Sequence, residues 1–189
     1  MLSSIVIRVL DVILAGCGLI LLWPVLVFLY ALGLFDTGVP LLRQERIGRY
    51  MRPFVLIKFR TMRLNTAHVA SHLASSNSIT SIGSVLRRTK LDELPQLWNV
   101  LRGEMSLVGP RPGLFNQKDL ITARTFYGVY SARPGITGLA QVRGIDMSKP
   151  DLLAETDARM LRELNLKNYF RFILMTIIGR GTGDRVKIG

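Results

Sequence analysis

Asp92 and Glu93 are the two residues of this chain best placed to do chemistry. They lie in Thr-Lys-Leu-Asp-Glu-Leu-Pro-Gln-Leu-Trp at 89–98. Proline favours the first turn of a helix, so Pro95 marks a helix start with both acids at or just before it. Backbone N–H groups at such a start lack intrahelical partners and can hold phosphate. Acidic residues also gather there because they complement the helix dipole, and the pair alone does not separate these explanations. The neighbouring cations add weight. Arg87 and Arg88 lie just upstream, Arg111 is held between Pro110 and Pro112, and Lys58 and Arg60 are two apart in a strand-like run, hence on one face. Carboxylates among fixed cations suit a pyrophosphate: the cations neutralise phosphate, while a carboxylate attacks phosphorus or holds a divalent metal. Adjacent helical residues diverge by about 100°, so the two acids need not share a task. Mg²⁺ commonly takes only one or two protein carboxylates, and two acids are enough for a nucleophile plus a metal ligand. Any one of these cations, taken singly, is equally explained as solvated or lipid-facing charge.

Other chemistries find less support. His68 and His72 are spaced i, i+4 as zinc ligands can be, but no third ligand is near. There is no Ser-His-Asp order, and neither GxGxxG nor a P-loop occurs. The 25 Lys and Arg against 13 Asp and Glu give a net charge of +12, yet no nucleic-acid module accompanies it, and nucleic acid is not expected as a partner. Hydrophobic residues make up 49% and the mean hydropathy is +0.30. Basic and apolar together point to anionic lipid. Cys17 is the single cysteine, so no internal disulfide forms, which suits a reducing compartment.

The elements that must position these residues begin with a charge-free run at 12–35. It is long enough to cross a bilayer as a helix and too long for a cleavable signal. Pro24 falls in its middle and should kink it. Arg43, Arg46, Arg49 and Arg52 follow, which places that flank on the cytoplasmic side. From the residues alone, a kinked spanning helix and a re-entrant helix-break-helix both stay open. Residues 53–60 read as a strand with Val55, Ile57 and Phe59 on one face. A helix fragment and loop are expected over 65–81, a short helix over 82–88, and a helix over 95–101 closed by Gly103. Rigid turns are expected at 109–113 and 133–138, a helix at 119–131 and a short strand at 139–143. An amphipathic helix is expected at 152–164. A last helix at 166–178, flanked by Lys167, Arg180, Arg185 and Lys187, would rest on a membrane surface or be buried in the core. No repeat and no second domain is evident.

KFRTM at 58–62, RRTKLDELPQLWNVLRGEMSLVGPRP at 87–112 and RPGITGLAQV at 133–142 closely resemble the bacterial sugar transferases, the monotopic phosphoglycosyl transferases that act on polyprenyl phosphate. The likeness runs from the apolar N-terminal segment to the last helix. It implies the short form of the family, without extra N-terminal spans. The implied fold is a small α/β-mixed, mainly helical, membrane-associated domain, with a re-entrant membrane segment at 1–36 broken at Pro24 and a cytoplasmic catalytic domain at 37–189 ending in interfacial helices.

The resemblance makes Asp92 a nucleophile on the sugar-bearing phosphate of a UDP-sugar, releasing UMP and leaving a phospho-sugar on the aspartate. Polyprenyl phosphate would then take it. Glu93 would bind Mg²⁺ or Mn²⁺. Lys58, Arg87 and Arg111 match basic positions that contact phosphate or brace the nucleophile, and Arg60 and Arg88 join them as candidate substrate-binding cations. Arg133, Gln141 and Arg143 would serve the nucleotide or shape its pocket, and Asp157 matches an acidic position of uncertain role. The implied location is the cytoplasmic face of the bacterial inner membrane, with a second copy or pathway glycosyltransferases as further partners.

Three departures stand out. Lys90 replaces a small residue, Ser-Asn-Ser-Ile-Thr-Ser-Ile-Gly at 76–83 lacks charges common in the family, and Arg159 and Leu164 stand where aromatics are frequent. They bear on sugar preference and regulation, not on reaction type. Non-enzymatic rivals are confined to a membrane scaffold of a polysaccharide assembly pathway. The residues name neither the sugar nor the glycoconjugate.

Overall fold

The computed structural model describes residues 2–64 and 78–178. The expectations for 65–77, with the His68/His72 pair, and for the Arg180, Arg185 and Lys187 flank lie outside the described residues. The chain opens with one helix, α1, over Leu2–Thr37, about 54 Å long at 1.5 Å per residue. Helical structure runs on through Pro24, so the expected break is not an interruption of the helix. It is long and apolar enough to cross a membrane. Around Pro24 its side chains are bare: Leu21 is 76% and Trp23 61% exposed. Yet three of its residues, Ile7, Ala15 and Leu29, are buried in three different hydrophobic clusters of the domain. The helix thus lies along the domain and closes its core, while its outer face is apolar and exposed among the described residues.

β1 (Leu41–Ile47) and β2 (Pro53–Phe59) form an antiparallel hairpin in register from Leu41↔Phe59 to Ile47↔Pro53. Its turn holds Tyr50 and Met51 at positive φ. The expected strand is therefore present, and Phe54, Leu56 and Lys58 on its inner face are buried while Val55 is half-exposed. Next come α2 (Ser81–Thr89), capped by the Thr80 hydroxyl accepting from Gly83 N at 2.9 Å, and α3 (Gln96–Leu101), after which Gly103 sits at φ +81° as expected for a terminator.

β3 (Ser106–Val108) pairs in parallel with β4 (Gly135–Thr137). A Cβ on Gly135 would stand 2.0 Å from Gly109 N, so this crossing admits only glycine. It clamps one end of the 109–113 turn, through Gly109 N→Thr137 O and Gly135 N→Pro110 O, both 2.8 Å. The other end is held by Ile47 N→Gly113 O at 3.0 Å. Arg111 sits between the two clamps.

α4 spans Lys118–Phe126, with a separate 3-10 turn at Val129–Ser131. α5 (Leu139–Arg143) corrects the short strand expected there. Five residues are too few for periodicity to separate helix from strand. Here Gly144 at φ +69° ends a helical turn, and Leu139 and Ala140 are buried in clusters that include α6 residues. α6 (Pro150–Glu163) and α7 (Leu166–Ile177) complete the fold. α7 is buried on one side, at Tyr169 and Phe172, as the core-helix expectation has it, while Phe170, Leu174 and Ile177 on its other side are exposed.

Candidate active site

Lys90 adopts φ 59°, ψ 16°, ending α2 and starting a 3-10 turn over Leu91–Glu93. That reversal puts Asp92 and Glu93 inside the domain, 3% and 9% exposed. The acids do precede a helix, and four backbone N–H groups of this segment are already engaged. Glu93 N, Leu94 N, Leu97 N and Trp98 N all donate to carbonyls within the turn, to Lys90, Leu91, Leu94 and Pro95. Side chains offer the cations that phosphate charge needs.

Those side chains converge. Arg111 donates from Nη2 to Glu93 Oε1 at 3.1 Å. A polar cavity of about 20 Å³ is lined by Arg46, Lys58, Glu93, Gln96 and Arg111, room for roughly one water. Arg46 and Gln96 were not singled out from the sequence as site residues. Arg46 entered only as a topological charge, yet it is 8% exposed and its Nη1 donates to Pro112 O at 3.2 Å. Its place opposite Phe54 in the hairpin register is the signal, and that register is visible only once β1 is known to pair with β2.

Arg87, in the last turn of α2, donates from Nε to Thr61 Oγ1 at 2.8 Å. Arg88 and Arg143 are exposed. Arg60 lies beyond the end of β2, and its exposed Nε donates to Val39 O at 3.0 Å. Arg133 lines a different recess with Arg49, Tyr50 and Arg52, and donates from Nε to Gly103 O at 2.9 Å. Burial, then the Arg8 and Arg49 charges, hold its guanidinium below the usual range. Gln141 Nε2 braces Gly109 O at 3.2 Å, while its buried Oε1 has no hydrogen-bond partner among the described residues.

Asp157 does not face the cavity. It is fully buried and paired with Arg124, whose Nε and Nη2 donate to Asp157 Oδ2 at 3.1 and 2.7 Å. Burial pushes the Asp157 carboxyl up and Arg124 pulls it back. Arg124 Nη1 also donates to Arg111 O at 2.8 Å. Asp157, counted among the candidate substrate-binding residues though its role was open, is the far end of a chain that runs Asp157, Arg124, Arg111, Glu93. Arg124 escaped notice in the sequence because its partners lie 13 and 33 residues away.

No cluster of three His, Cys, Asp or Glu occurs among the described residues. The donors at hand are Asp92 and Glu93. This set suits Mg²⁺ or Mn²⁺ held by a carboxylate and substrate phosphate oxygens, and does not suit a closed structural zinc site.

On the other side of Glu93 lies an apolar groove of about 420 Å³. Leu22 of α1, Leu94 and Leu97, Ile136 of β4, and Ile173 and Ile177 of α7 form its walls, with Thr89, Lys90 and Glu93 at one part of the lining. Burial pushes the Lys90 amine below its ordinary value; Glu93 pulls it up and Arg111 pushes it down.

A family model described as bacterial sugar transferase matches residues 2–181. The chain is 46% identical over 143 residues to a UDP-glucose:undecaprenyl-phosphate glucose-1-phosphate transferase of Caulobacter vibrioides, covering 73% of this chain and 54% of the relative. It is 36% identical over 187 residues to a UDP-galactose-lipid carrier transferase of Erwinia amylovora, covering 90% and 39%. It is also 36% identical over 186 residues to the exopolysaccharide production protein PSS of Rhizobium leguminosarum bv. phaseoli, covering 93% and 92%. The chain thus spans about half or less of the first two relatives and nearly all of the third.

Proposed function

We propose, from the premise that this chain belongs to the bacterial sugar transferase family, that it moves a sugar 1-phosphate from a UDP-sugar to polyprenyl phosphate and releases UMP. The observation that carries this reading is the meeting of Lys58, Glu93 and Arg111 at one cavity, with the buried Asp92 next to Glu93 in the chain, within a domain closed by an apolar helix. Lys58 and Arg111 neutralise the diphosphate. An Asp92 carboxylate oxygen attacks the sugar-bearing phosphorus, the bond to the UMP phosphate oxygen breaks, and UMP leaves with that electron pair. A lipid phosphate oxygen then attacks the same phosphorus, breaks the acyl phosphate and restores the carboxylate. Glu93 is the residue that would hold Mg²⁺ or Mn²⁺, which when bound would neutralise developing phosphate charge.

The product is the first lipid-linked sugar of a capsule, O-antigen, exopolysaccharide or glycoprotein, made on the cytoplasmic face of the inner membrane. Purified chain given a panel of UDP-sugars should turn over to UMP with one or a few of them only when polyprenyl phosphate is present, and should release at most one equivalent of UMP per enzyme without it. Release of free sugar phosphate without a lipid acceptor would instead identify a phosphohydrolase.

The membrane segment enters and leaves by one face. What supports this is that both of its polar ends are fixed to the same domain. Near the start, Arg8 Nη2 donates to Val100 O at 2.9 Å, and Asp11 Oδ1 accepts from Leu107 N and the Tyr169 hydroxyl, both at 2.9 Å. Near the end, Asp36 Oδ2 accepts from the Thr80 hydroxyl at 2.6 Å. Arg8 and Asp36 are about 42 Å apart along a straight helix, close to the full thickness of a bilayer with its headgroups. A domain on one side of the membrane holds both only if the helix returns to that side or lies along it. In a Cys17→Ser background, cysteines at Ser3 and Thr37 should both resist an impermeant thiol reagent in intact cells and both react after lysis. Labelling of the Ser3 site alone from outside would establish a spanning helix.

A further inference from the structure

We propose that the apolar groove between α1 and α7 is the berth of the polyprenyl chain, and that Lys90 is the cation that receives its phosphate. This rests on the lipid acceptor of the proposed reaction and says where the acceptor binds.

Glu93 and Ile136 are shared walls. They line both the small polar cavity with Lys58 and Arg111 and the apolar groove with Lys90. Two recesses of opposite chemistry therefore meet at one carboxylate, as a transfer between a water-soluble donor and a lipid acceptor needs. The polar side offers three cations, Arg46, Lys58 and Arg111. The groove offers one, Lys90, and its other walls are mainly leucine and isoleucine. The hydroxyls of Thr137 and Thr176, which also line it, hydrogen-bond to each other. A nucleoside would find few polar partners there, whereas an isoprenoid needs none.

The groove is continuous with the surface that faces lipid. Leu22 in its wall sits between Leu21 and Trp23, 76% and 61% exposed, and Ile177 on the opposite wall is 76% exposed. A chain lying in the bilayer can thus slide in between α1 and α7 without crossing a polar surface. About 420 Å³ falls within the roughly 300–1,000 Å³ typical of small-ligand pockets. That suits the phosphate-proximal units of a long prenyl chain, with the rest left in the membrane. Lys90 reaches this place in the left-handed region, which disfavours a residue with a side chain. Its φ of 59° makes the bend that joins α2 to the Asp92 turn, so the cation and the acids are set by the same few residues.

The test uses the full chain in neutral phosphatidylcholine nanodiscs and a diazirine-bearing farnesyl phosphate, with cross-links mapped by peptide mass spectrometry. Labels should fall on α1 near Leu22 and on α7 near Ile173 and Ile177. Ile173→Trp should cut labelling at least tenfold and raise KM for undecaprenyl phosphate at least tenfold, with KM for the UDP-sugar within twofold. Ile177→Trp, at the exposed mouth, gives the same comparison should Ile173→Trp fail to fold. Lys90→Met should cut labelling by the phosphate probe about tenfold and leave labelling by the matching diazirine farnesol unchanged. Labels elsewhere, an unchanged lipid KM in both tryptophan variants, or displacement of the label by phosphatidylglycerol as effectively as by undecaprenyl phosphate would each overturn the proposal. Labelling needs no UDP-sugar, so it still reports on the groove if the transfer reaction itself is not found. Active wild type with misplaced labels rejects the groove alone.

Discussion

Asp92→Asn is expected to lower UMP release by three orders of magnitude or more, with the fold intact. The carboxylate and the amide are nearly the same size, and Asp92 is 3% exposed, so the site need not open to accept the change. An amide oxygen is a far weaker nucleophile, and removing one member of a covalent catalytic unit costs on the order of 10⁴–10⁶ in kcat where it has been dissected. Glu93→Gln should behave differently. It weakens the Arg111 contact of 3.1 Å and the proposed metal donor, but leaves the attacking oxygen in place. Purified protein incubated with a UDP-sugar radiolabelled in its sugar phosphate, without lipid, separates the two. Wild type should carry covalent label, Glu93→Gln should acquire it slowly, and Asp92→Asn should acquire none. Label on Asp92→Asn at the wild-type level would remove Asp92 from the nucleophile's role.

How much of this could be read from the residues depends on how local each cause is. The Asp92 turn and the Arg111 turn were legible because Pro95, Pro110 and Pro112 restrict their own backbone. The helix over 82–88 and the terminator Gly103 were legible because their causes are local as well. β1 was not: Leu-Leu-Arg-Gln-Glu-Arg-Ile carries three charges in seven residues, and only pairing with β2 makes it a strand. Alternation in β2 gave two faces but not which one turns inward. Lys58 lies on the inner face at 5% exposed, against the usual preference of lysine for solvent. Arg133, Arg60 and Arg143 were grouped with the site because they are basic and near a motif, and the structure does not line the Glu93 cavity with any of them. The packing of α1 on the domain was the least legible feature. Asp11 finds its partners at Leu107 and Tyr169, across 96 and 158 residues, and no periodicity reports such a contact.

The Arg124–Asp157 pair tests whether such a long-range contact reaches the chemistry. Asp157→Asn or Arg124→Met alone should destabilise the protein by about 3–5 kcal/mol, because each leaves the other group charged and buried without its partner. For a chain of this size that is a drop of roughly 6–20 °C in melting temperature, read by thermal unfolding in detergent. The double variant Arg124→Met with Asp157→Leu should recover most of the loss, since apolar replacement of a buried pair is often close to neutral. Turnover should not recover with it. Arg124 also donates to the backbone carbonyl of Arg111 at 2.8 Å, and the double variant still lacks that bond. With the turn held only through Gly109, Pro110 and Gly113, Arg111 meets Glu93 less often, and kcat should stay severalfold low at a restored melting temperature. A double variant with wild-type kcat would mean that the two backbone clamps alone position Arg111. Arg124 would then be a fold contact and nothing more. Stability returning without turnover is the outcome that makes the buried pair part of how Glu93 is held.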